Sequence, residues 1–177
     1  MKKILILVLS VVLFLSCENK STLQKYFVKK SESSNFIALD LASNIIKTDK
    51  VTLSETERAA VESFDKMNIL AFRADSTDIA EYDKEMKEIK AILKDESYQQ
   101  LMKLGSGNDG AAIYFVGNDD EHIEEFVVLA GKKENGFAVV RVLGNDMNPT
   151  HIMNILRLLQ KSKVDMEQLK PLQQLMK

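Results

Sequence analysis

Thiols, imidazoles, prolines and indoles are nearly missing from this chain. Its 177 residues hold one cysteine, two histidines, two prolines and no tryptophan. A single thiol cannot close an intrachain disulfide, so a cystine-stapled fold is excluded. With so few imidazoles and thiols, zinc would lack two or three of its usual ligands. A basic excess is missing too: 24 Lys and Arg stand against 26 Asp and Glu. That balance argues against a nucleic-acid partner, which calls for a basic patch. No long apolar run exists either. Ile4 to Leu15 is twelve residues, broken only by Ser10, and a spanning helix needs about 20.

That short run has a meaning of its own. Lys2 and Lys3 precede it, and Ser16 and Cys17 follow it. A basic start, an apolar stretch and a small residue before the cut are the parts of a secretory signal. The cysteine placed directly after them reads as a lipoprotein box, Phe14-Leu15-Ser16-Cys17. The box departs from the commonest pattern at Phe14, where Leu is usual, and at Leu15, where a smaller residue is usual. Residues 1–16 are therefore expected to be a cleaved signal peptide and Cys17 the lipid-attachment residue. Two or three acyl chains, at about 0.8 kcal/mol per buried methylene, hold a protein on a bilayer where one chain does so only reversibly. This predicts an exported, lipid-anchored protein of the cell envelope, with inner and outer membrane both open. Loss of Lys2 and Lys3 leaves 22 basic against 26 acidic residues, a net charge near −4, and no free thiol.

After Cys17 comes a short polar tether. Residues 17–34 read as the lipid-attachment residue, that tether and a first helix through Leu23, Tyr26 and Phe27, capped by Ser21 or Thr22. Residues 35–177 read as a single α+β domain. Phe36 to Leu41 is a first strand, with helical ambiguity in Leu41 to Ile46. Ser54 and Glu57 form a capping box opening a helix through Ala60, Val61 and Phe64. Asn68 to Arg73 is a second strand. Asp75-Ser76-Thr77-Asp78 caps a helix striped by Ile79, Tyr82, Met86, Ile89 and Leu93. Tyr98 to Leu104 reads as a short helix stopped by Gly105. Ala111–Val116, Glu125–Ala130 and Phe137–Leu143 form an antiparallel meander. Asn148 and Pro149 open a helix carrying Ile152, Ile155, Leu156 and Leu159. A last stripe, Met166, Leu169, Leu172 and Leu175, is broken by Pro171 and is expected to dock on this domain or on a partner. The expected fold is a mixed, largely antiparallel sheet of about five strands with a C-terminal three-strand meander. Its helices are expected mainly on one face.

Leu23-Gln24-Lys25-Tyr26, Asn35-Phe36-Ile37, Ile69-Leu70-Ala71-Phe72, Tyr98-Gln99-Gln100-Leu101-Met102 and Gly136 to Gly144 resemble a family of small lipoproteins of Bacteroidetes-type bacteria, a domain of unknown function (DUF4252-like). The resemblance spans nearly the whole mature chain. It implies a Gram-negative envelope lipoprotein and brings no catalytic residues with it.

Several motifs touch on chemistry. Gly105-Ser106-Gly107-Asn108-Asp109-Gly110 matches a dinucleotide fingerprint as text, yet it precedes a strand, whereas pyrophosphate binding needs it between strand and helix. No cofactor is expected. Asp119-Asp120-Glu121-His122 gathers donors in one turn, which a solvated hairpin loop also requires, and His151 sits near a helix start. No metal is assigned to either. Glu124 and Glu125 are adjacent in a strand and point to opposite faces, so they cannot flank one bond. No strained nucleophile turn is present, and no catalytic residue is assigned. Arg141 interrupts an apolar strand. It reads either as a rim arginine lying along the sheet or as an interaction residue in a groove. Asp75-Ser76-Thr77 also resembles an O-glycosylation signal of exported proteins, so Ser76 reads as a glycan site as well as a cap. Together these predict a non-enzymatic binding module, joined to the membrane through Cys17 and to a protein partner in the envelope. The alternative is a small-ligand carrier or enzyme using a pocket between sheet and helices.

Overall fold

The computed structural model describes residues 21–46, 52–73, 79–107 and 109–161. Residues 1–16, expected to be a signal peptide, together with Cys17, Ser76 and the stripe from Met166 to Leu175, lie outside the described residues. In chain order the elements are α1 (Leu23–Ser31), β1 (Phe36–Ala42), a 3₁₀ turn (Ser43–Ile45), α2 (Glu55–Ser63), β2 (Phe64–Arg73), α3 (Ile79–Ile92), β3 (Gln99–Ser106), β4 (Asp109–Gly117), β5 (Ile123–Lys132), β6 (Gly136–Met147) and α4 (Pro149–Lys161).

Local signals set the helix starts. Thr22 caps α1, its Oγ1 accepting from Lys25 N at 3.2 Å. Ser54 and Glu57 make the reciprocal capping box of α2. Asn148 Oδ1 accepts from His151 N at 2.9 Å at the head of α4, with Pro149 in its first turn, where a missing amide hydrogen costs nothing.

The six strands form one antiparallel sheet in the order β1-β2-β6-β5-β4-β3. The α+β class and the antiparallel meander stand as expected. One segment differs in kind: Tyr98 to Leu104, read as a short helix stopped by Gly105, lies for the most part in strand β3, Gln99–Ser106. Its glutamines, leucines, methionine and lysine favour helix intrinsically, and pairing with β4 overrides that preference. The hairpin is fixed by glycines. Gly105 and Gly110 face one another across it with φ of +81° and +140°. A Cβ on Gly110 would lie 2.1 Å from Leu104 O.

The placement of the helices also corrects the sequence reading. They are divided between the two faces of the sheet, not gathered mainly on one. Successive strand residues point to opposite faces, and the core separates accordingly. Phe36, Leu70, Phe72, Val127, Leu129, Phe137 and Val139 join α1 and α3 in one cluster. Leu41, Met67, Val142, Phe126 and Phe115 join α2 and α4 in another. Strands that are apolar at nearly every position require both faces to be covered.

Each face is covered unevenly. Under α1 and α3, one cross-strand row runs Phe36, Phe72, Phe137, Gly131, Gly110, Gly105. The three rings fill their half, with Phe72 and Phe137 stacked at 5.3 Å and Tyr82 edge-on to Phe137 at 5.9 Å. The three glycines carry no side chain on theirs, and Met86 and Tyr82 of α3 close onto Gly131. On the opposite face, Leu41, Met67, Val142, Phe126 and Phe115 are buried. The next row, Leu39, Ile69, Val140, Val128 and Ile113, is only half-buried. Among the described residues no helix is long and apolar enough to cross a membrane.

Candidate functional site

The glycine half of the first row opens a cleft. A space of about 370 Å³ lies between α3 and the β3–β4 hairpin. Met86, Leu93, Leu129 and Ala112 give it an apolar floor, and Tyr98 and Tyr114 stand over that floor. Alternation along the strands explains the arrangement. Gln100 pairs with Tyr114, and Lys103 pairs with Ala112, so their side chains stand on the face that α3 covers. Lys90 in the last turn of α3 and Lys94 in the turn that follows it come from the other wall.

Three lysines therefore line one cleft. Lys90 Nζ donates to Gly107 O at 2.6 Å. Burial first, and the Lys103 charge second, push its pKa below the usual lysine value. Lys94 and Lys103 have no ion-pair partner among the described residues. The phenols are held neutral. Burial, helped by Glu125, pushes Tyr98 up to about 12, and burial raises Tyr114 as well. Asp109 is the lining carboxylate, and its Oδ1 accepts from Lys133 N at 2.9 Å. The cleft thus offers cationic and phenolic donors around an apolar floor, a recurrent composition for small-molecule sites.

The residues singled out from the sequence lie elsewhere. Arg141 on β6 is 4 % exposed. Its Nε and one terminal nitrogen donate to the two oxygens of Glu125 at 2.8 and 2.9 Å, and the other donates to Gln24 Oε1 at 2.6 Å. Its guanidinium also lies 5.4 Å from the Phe27 ring centre. It stands neither at a rim nor in an open groove; it fastens α1 to the sheet. The acidic turn is an exposed β4–β5 connection in which Asp119 Oδ1 accepts from Glu121 N and meets His122 Nδ1 at 2.8 Å. The Asp119 hydrogen bond, then its charge, raises the His122 pKa above 6.5. His151 Nδ1 lies 3.2 Å from Ser63 Oγ and ties α4 to α2. Among the described residues no group of three His, Cys, Asp or Glu is placed to hold a metal ion.

Glu85 escaped the sequence reading altogether. It is fully buried on α3, accepting from Tyr26 OH at 2.7 Å and from Lys30 Nζ. Tyr26 and Lys30, four apart on α1, were the available signal.

The family model described as a domain of unknown function (DUF4252) matches residues 26–155. The chain belongs to the DUF4252 family. No curated protein and no solved structure matches it. The DUF4252 match runs from the buried Tyr26 in α1 to the buried Ile155 in α4. It therefore takes in every strand and the whole described lining of the cleft, and it leaves Cys17 outside.

Proposed function

We propose that this DUF4252 protein is a binding module held at a membrane of the cell envelope by lipid on Cys17. It engages a partner polypeptide by strand addition along the free edge of β3. One observation carries the reading. β3 is an edge strand of eight residues, hydrogen-bonded on one side to β4 and exposed along its whole length. Leu101, Met102 and Leu104 are 40, 48 and 61 % exposed. Soluble proteins guard such edges with charges, prolines or short strands, because the unpaired backbone groups recruit other strands. Here a single charge, Lys103, stands among eight residues. The other edge, β1, carries Asp40 at its centre, bonded to Asn68. An unguarded edge is the form in which a sheet receives a peptide, with backbone hydrogen bonds giving affinity and alternate side chains giving specificity.

Site-specific photo-cross-linking tests this in intact cells. A photoreactive residue at Gln99 or Leu101 should yield one discrete adduct. Met102→Lys with Leu104→Lys should abolish it while shifting unfolding by no more than about 0.5 kcal/mol, as exposed substitutions do. An adduct of twice the protein's own mass identifies a second copy as the partner. Absence of an adduct at both positions, or an adduct that survives the paired lysines, refutes strand addition. The small-ligand alternative is favoured by a separate observation, the cleft beneath the same hairpin.

A further inference from the structure

We propose that the cleft between α3 and the β3–β4 hairpin binds a small anionic amphiphile, a single-chain carboxylate of about a dozen heavy atoms. The size follows from the volume. About 370 Å³, at roughly 30 Å³ for each water-sized atom, holds about twelve. The polarity follows from the lining. Met86, Leu93, Leu129 and Ala112 offer apolar surface to a hydrocarbon body but nothing to a charged one. Lys94 and Lys103 line the cleft without an ion-pair partner among the described residues, against the single lining carboxylate of Asp109. An anionic head beside these two ammonium groups answers that excess, which a neutral or cationic head does not.

The hydroxyls of Tyr98 and Tyr114 make no hydrogen bond among the described residues, and their rings pack against the core cluster under α1 and α3. A head group beside Lys94 and Lys103, with the chain against the apolar lining, is the pose that satisfies both halves. Gly131 lets α3 close onto the sheet at one end of the cleft, since a Cβ there would meet Met86 Cε at 2.8 Å and Tyr82 OH at 2.9 Å. This reading does not depend on strand addition at β3, since the ligand enters from the face that α3 covers.

The test uses the whole chain bearing Cys17→Ala, so that no lipid of its own competes. Decanoate, decanol and acetate are titrated separately by calorimetry and by chemical-shift mapping. Decanoate should bind, with shifts at Ala112, Tyr114 and Leu129. Decanol should bind at least about tenfold more weakly, and acetate should give no heat at millimolar concentration. Lys94→Gln and Lys103→Gln should each weaken decanoate severalfold. Lys132→Gln, which removes a lysine paired with Glu134 on the β5–β6 turn, should not. Ala112→Met fills the floor and should abolish binding, and the lysine variants keep the test decisive should that variant fold poorly. Decanol binding as tightly as decanoate, acetate matching decanoate, no binding of decanoate, or lysine variants that bind as the parent does would each overturn the site.

Discussion

Glu85 and Arg141 engage different flanks of α1, and each places a charge where water is absent. Taking a carboxylate or guanidinium out of water costs several kcal/mol, which is recovered when every lone pair and proton finds a partner. Arg141 meets that condition with two bonds to Glu125 and one to Gln24. Its Nε–Oε1 pair joins side chains only 5 and 14 % exposed. Replacing Arg141 with Met leaves Glu125 unpaired in that place, and urea unfolding should show a loss of about 3–5 kcal/mol. The double variant Arg141→Met, Glu125→Leu should recover most of it, since a hydrophobic pair of similar volume replaces a buried ion pair at little cost. A double variant as unstable as the single one would show that Gln24 and the Phe27 stack carry the energy. From sequence, Arg141 was legible as an oddity in an apolar strand. Its destination was not, because the register that sets Glu125 and Arg141 on neighbouring strands appears only when β5 and β6 pair around a shifted register at Ile123/Glu125.

At the scale of elements, the caps and amphipathic stripes carried through. Tyr82, Met86, Ile89 and Leu93 are buried as their spacing requires, while Ile79 at the head of that stripe is exposed, and the Ser54–Glu57 capping box and Pro149 stand where the letters put them. What did not show was long-range. The insertion of β6 beside β2 and the role of β3 depend on pairing between distant segments, and an edge strand of glutamine, leucine, methionine and lysine carries little local β preference. The cleft was hidden for the same reason. Lys103 comes to line the same cleft as Lys90 and Lys94 only once Gln99–Ser106 is a strand. The half-buried row of Leu39, Ile69, Val140, Val128 and Ile113 bears on the C-terminal stripe as well. α4 belongs to the same face, with Leu158 buried there, and sixteen residues follow Lys161. Pro171, which costs about 3 kcal/mol inside a helix, makes Met166, Leu169, Leu172 and Leu175 a stripe that needs a surface. Deleting Asp165 to Lys177 should lower urea stability by several kcal/mol, at about 1.5–3 kcal/mol per large side chain that loses its burial. It should also raise the binding of a hydrophobic dye. Unchanged unfolding together with unchanged dye binding would remove this face as the stripe's resting place.

For the whole molecule the decisive length is the five residues between Cys17 and Leu23. Extended, the six Cα steps from Cys17 to Leu23 reach at most about 21 Å, so lipid on Cys17 would hold the domain near the head groups and not on a stalk. The pull would be felt by the core. α1 begins at Leu23, fully buried, and is fastened within eight residues by Gln24, Tyr26, Phe27 and Lys30. The face covered by α1 would then stand nearer the bilayer than the face carrying α4. Cys17→Ala should yield a protein without lipid mass that moves from the detergent to the aqueous phase. In the anchored protein, a paramagnetic lipid should broaden the methyls of Val28, exposed on α1, more than that of Met153, exposed on α4. If both proteins partition into detergent and both carry lipid, Cys17 is not the attachment residue. If lipid is lost as expected but Met153 broadens as strongly as Val28, the anchor stands and the short tether does not orient the domain.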